Sequence, residues 1–97
     1  MDIERVEKME SYLHECTDAT ACLTEQIDRM EKLSDHMTEL FSYYGSEAWY
    51  ADRETDLPEG VCAGVLSEDA VYDQITAVRD ASIRMIELAA DILKNRL

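Results

Sequence analysis

From Ile3 to Tyr44 the chain contains neither Gly nor Pro, and its apolar residues recur in heptad phase. One series is Val6, Leu13, Thr20, Ile27, Ser34 and Phe41; the other is Met9, Cys16, Leu23, Met30, Met37 and Tyr44. Positions of the a and d type, sustained this long, predict one amphipathic helix over about 3–44, roughly 60 Å in length. Tyr12, Ala19, Leu33 and Leu40 widen the stripe on one side. Thr17, Asp18, Thr20, Cys22 and Thr24 are poor helix formers, so a break would fall there. The phase passes through them unbroken, which favours a continuous helix with Cys16 as a small core residue in its seam.

Gly45 can end that helix in a left-handed conformation, and Ser46 can then cap a short helical turn over 47–53. Pro58 holds Leu57 extended, and Asp56 to Gly60 reads as a turn. Ser67 is a suitable N-cap for a second helix over about 67–95, with Glu68 and Asp69 favouring its N-terminal dipole and Leu66 placed to staple onto Val71. Its apolar stripe is Val71, Ile75, Val78, Ser82, Met85, Ala89 and Ile92. The predicted fold is therefore all-α: a long antiparallel helical hairpin with a structured connector that contains a short helix.

Two helices alone give each other one thin seam, and the wide stripe of the first needs further cover. The connector can fold back, using Trp49, Tyr50, Leu57 and Val61, or a second copy can supply the missing face. Pairing of two hairpins as a four-helix bundle satisfies the same stripes at the usual ~20° crossing.

Composition narrows the classes of function. The 97 residues are 46% hydrophobic and 32% charged, enough for one domain, residues 1–97, and too apolar for a disordered tail. The formal net charge of −13 argues against direct nucleic-acid binding, which needs the opposite sign. Residues 2–41 carry net −7, 42–66 net −4 and 67–97 net −2. Such a rod is a solvated acidic face, an attractant for a basic protein surface, or a mimic of a nucleic-acid backbone. Neither a membrane span nor a signal peptide is recognisable. Three cysteines without CxxC spacing fit reduced thiols, and the expected location is cytoplasmic.

Little of the chemistry assembles from spacing. His14 and His36 lack the Glu-x-x-His pattern of a di-iron bundle, and His14-Glu15 lacks the second His of an HExxH site. His14 with Asp18 would hold a metal only weakly. No nucleophile elbow or phosphate-binding glycine loop is present, so no catalytic, cofactor or metal residue is assigned. Glu68, Asp69 and Asp73 cluster at a helix start, where the dipole already explains them. The most informative group is aromatic: Tyr43, Tyr44, Trp49 and Tyr50 within eight residues, and Tyr72 at the start of the next helix. Rimmed by Glu47, Asp52, Arg53 and Glu54, and taken as candidates together with Ser67, Glu68, Asp69 and Asp73 of the next helix start, it reads as a clamp on the connector or as a protein-binding hot spot.

The string Tyr43-Tyr44-Gly45-Ser46-Glu47-x-Trp49-Tyr50, then Leu57-Pro58, then Gly64-Val65-Leu66-Ser67-Glu68-Asp69-Ala70-Val71-Tyr72-Asp73 resembles a family of small bacterial proteins. That family is known as domain of unknown function 4298, and Arg84-Met85-x-Glu87 is similar to its final helix. The resemblance implies a short helical cytoplasmic protein, with no activity, cofactor or catalytic residue to carry over. The residues favour a non-enzymatic helical interaction module that forms a homodimer, with a possible basic protein partner. Two alternatives stand beside it. One is an acidic mimic that inhibits a basic DNA- or RNA-binding protein. The other is an enzyme or metal protein using Tyr43, Tyr50, Glu68, Asp69, Tyr72 and Asp73.

Overall fold

In the computed structural model, which describes residues 2–97, three α-helices follow in order with no strand among the described residues. They are α1, Ile3–Tyr43; α2, Glu47–Arg53; and α3, Ala70–Asn95, preceded by a 3-10 turn at Gly64–Leu66. The fold is all-α, a long helix and a second helix joined by a connector that itself holds a short helix, as the hydrophobic pattern predicts.

The helix ends follow from side-chain chemistry. Asp2 starts α1, its carboxylate accepting the Arg5 N–H at 3.0 Å. The threonine-rich middle stays helical, and Thr17 turns its hydroxyl back onto the Leu13 carbonyl at 2.9 Å. After Tyr43 the chain reverses in a turn closed by the Ser46 N–H on the Tyr43 carbonyl, 3.0 Å. Gly45 takes φ +77° there, a conformation that strains any residue with a Cβ. Ser46 then caps α2 by accepting the Trp49 N–H at 3.2 Å. Ser67 accepts the Ala70 N–H at 3.0 Å, as its sequence position suggests, but regular helix begins only at Ala70 because residues 67–69 form the closing turn. At the far end Asp91 receives both Asn95, at 2.7 Å, and Arg96, at 3.3 Å.

Packing divides the chain into two units, Met1–Met37 and Thr38–Leu97. The first is α1 alone over most of its length, and no residue of α1 is buried. Val6, Met9, Leu13, Leu23, Ile27 and Met30, all a or d positions, are between 42% and 58% exposed. Cys16 is exposed as well, correcting its expected role as a core residue.

The second unit holds the chain's small core. Trp49 and Val71 are the buried residues, at 3% and 4% exposure. Half-buried Leu40 and Phe41 come from the end of α1 and Tyr44 from the turn just after it, Val65 and Leu66 from the 3-10 turn, and Ile75 and Val78 from α3. The turn packs against both α2 and α3. Burial along the α3 stripe runs from Val71 through Ser82 and then stops, leaving Met85, Ala89 and Ile92 exposed. Of the residues expected to fold the connector back, only Trp49 is buried. Leu57, Val61 and Tyr50 stay largely exposed.

Candidate functional site

The aromatic group around α2 forms a single network. Trp49, one turn into α2, is directed inward and donates its indole Nε1–H to the Val65 carbonyl at 2.9 Å. A buried indole needs such an acceptor, and the 3-10 turn provides it. Tyr44 meets the indole edge-on, with centroids 5.0 Å apart and planes at 65°; Tyr50 meets it at 4.9 Å and 75°. The guanidinium of Arg53 lies 4.6 Å over the indole ring. Trp49 and Arg53 are i and i+4 on one short helix, the spacing that brings a cation onto a ring face.

Two tyrosine hydroxyls tie the ends of the connector together. Tyr44 donates to the Glu68 carbonyl at 2.7 Å, fastening the end of α1 to the turn before α3. Tyr43 donates to the Asp52 carboxylate at 2.6 Å, fastening the same end to α2. Arg53 also reaches the Glu68 carboxylate at 3.4 Å, a long contact with Glu68 largely exposed, so water and salt screen it.

Each sequence-selected residue has a definite place. Tyr43, Tyr44, Trp49, Asp52, Ser67 and Glu68 make the ties just described. Tyr50 packs on the indole yet stays mostly exposed. Glu54 ends α2 through its backbone N–H, on the Ala51 and Asp52 carbonyls. Asp73 enters through its N–H, 2.7 Å from the Asp69 carbonyl, in the first turn of α3. The part played by Arg53 was missed from sequence, where it counted only as a rim charge; its i+4 relation to Trp49 was the available signal. His14 faces Glu10 at 3.4 Å rather than Asp18, with its side chain exposed. Among the described residues no group of three or more His, Cys, Asp or Glu is placed to hold a metal ion.

Beside the clamp lies an open cleft of about 370 Å³. Four rings line it, Tyr44, Trp49, Tyr50 and Tyr72, together with the charges of Arg53, Glu68 and Asp69.

The Tyr43–Asp52 bond has a measurable electrostatic signature. Donation to a carboxylate, with lesser contributions from desolvation and charge repulsion, raises the Tyr43 phenol above its ordinary value of 10.0. A raised phenol favours the protonated, folded state, so this tie is intact below the ordinary tyrosine range and is lost as pH climbs through the shifted value. In a spectrophotometric titration of tyrosinate absorbance, one of the five tyrosines should ionise later than the rest. The late component should vanish in Asp52→Asn; its persistence there would mean that Asp52 is not its cause.

A long helix, an aromatic-clamped connector and a shorter amphipathic helix define a small all-α protein organised around one Trp. Its sequence matches, over residues 6–88, the family described as Domain of unknown function (DUF4298), and the chain belongs to that family. It matches no curated protein and no solved structure.

Proposed function

We propose that this protein is a non-enzymatic helical interaction module that self-associates through α1, two copies pairing as a four-helix bundle. One observation carries the reading: a 41-residue helix with no buried residue exposes its apolar a and d side chains from Val6 to Met30. Soluble monomers rarely leave so long an apolar stripe open, and a second copy carries the same stripe in the same phase. The rest of the chain supports it. The clamp around Trp49 spends its hydroxyls and its indole N–H on holding the connector. The acidic side chains off the seam keep the assembly soluble and offer a surface to basic proteins. Among the described residues no helix is long and apolar enough to cross a membrane. The three exposed free thiols favour a reducing compartment, the cytoplasm.

Light scattering on the eluting protein at micromolar concentration tests the reading. The expected mass is twice the 11.1 kDa of one chain. A species of one-chain mass that persists at the highest concentrations would sink it.

A further inference from the structure

The groups that line the cleft fall into two sets. Tyr44, Trp49 and Arg53 are committed: the first two donate to backbone carbonyls, and Arg53 lies on the indole. Tyr50 and Tyr72 are more than half exposed, and neither hydroxyl makes a hydrogen bond among the described residues. The Asp69 carboxylate is likewise unpaired, making no cap bond at the start of α3. The clamp explains the first set and leaves the second without a task.

Two exposed phenol rings and a carboxylate lining an open cleft suit a cationic side chain. The ring faces attract the positive charge, and the carboxylate accepts its N–H groups. The molecule already displays this pairing, since Arg53 sits between the Trp49 ring and the Glu68 carboxylate in the same cleft. We propose that the cleft binds an arginine side chain from a basic segment of a partner protein. Its guanidinium lies against Tyr50 and Tyr72 and hydrogen-bonds Asp69, beside the resident Arg53–Glu68 pair. Arginine is favoured over lysine because a planar guanidinium both stacks and donates in a fork. The net charge of −13 attracts basic segments to the chain as a whole and repels acidic ones. All of these residues lie between 44 and 72, so the site does not depend on self-association through α1.

The test is an NMR titration of the full-length chain, at low ionic strength, with a blocked peptide of alternating arginine and glycine. Amide shifts should centre on Tyr50, Asp69 and Tyr72. Asp69→Asn and Tyr72→Ala, both at exposed positions, should each weaken binding about fivefold, the loss expected for one such contact. A lysine–glycine peptide of equal charge should bind more weakly. Glu15→Gln, on α1, should leave the affinity unchanged. Unaltered affinity in Asp69→Asn, or shifts spread along the acidic residues of α1, would overturn the proposal, because the peptide would then be a counter-ion to the whole chain. The mass measured by light scattering is unaffected by either result, so this site and the dimer can fail separately.

Discussion

Replacing Trp49 with alanine is expected to unfold the connector and loosen the start of α3. The indole is one of two buried side chains among the described residues, and four separate interactions converge on it. Removing a buried aromatic to alanine costs about 3–5 kcal/mol in ordinary cores. Here the Val65 carbonyl also loses its donor, at about 1 kcal/mol, and Arg53 loses the ring it lies on. With Val71 the only other buried residue among those described, little remains to absorb such a loss. A fall in the melting midpoint of about 10 °C or more is expected from the usual relation between stability and Tm for domains of this size. Trp49→Phe separates the contributions, because it keeps a ring for Tyr44 and Arg53 but cannot donate to Val65. It should lose about 1–2 kcal/mol, less than the alanine variant. Urea unfolding followed by far-ultraviolet circular dichroism ranks the two. Equal midpoints for wild type and Trp49→Ala would show that the ring is ornamental to stability.

The elements themselves were readable because each has a local cause. An unbroken run without Gly or Pro, in constant heptad phase, gives α1 its length, and Gly45 and Ser46 give it an end and α2 a beginning. The stripe of α3 was equally plain, but the extent of its cover was not. Periodicity states that Met85 and Ile92 share a face with Val71; it cannot state that burial stops after Ser82. Cys16 failed for the same reason, since a seam position is a core position only when something lies opposite. In the clamp, the gathering of rings near α2 was visible, whereas their partners were not. The acceptors for Tyr44 and Trp49 are backbone carbonyls of Glu68 and Val65, 24 and 16 residues away, and carbonyls carry no sequence signature. Tyr43–Asp52 and Trp49–Arg53 could have been paired from composition and spacing alone, because both members are side chains.

The seam of α1 makes the sharpest prediction, because a monomer and a dimer require opposite outcomes from one variant. Leu23 and Ile27 are adjacent d and a positions, 53% and 43% exposed in the single chain. If they remain exposed in solution, glutamate at both should be nearly neutral: surface changes stay within about 0.5 kcal/mol, and glutamate forms helix at least as well as isoleucine. If they meet a second copy, Leu23→Glu with Ile27→Glu places four carboxylates in one apolar seam, where each uncompensated charge costs several kcal/mol. The variant should then run at the one-chain mass and lose helical signal, since residues 2–36 of the chain are all exposed and have no packing of their own to replace the partner. Lys32→Glu is the matched control: it adds the same two negative charges at a position off both series, and should keep the two-chain mass with nearly wild-type helicity. Wild-type melting should also rise with protein concentration, as mass action requires of an associating fold, while the double variant should melt independently of it. A double variant that keeps both the mass and the concentration dependence of the wild type would place the contact elsewhere than on this stripe.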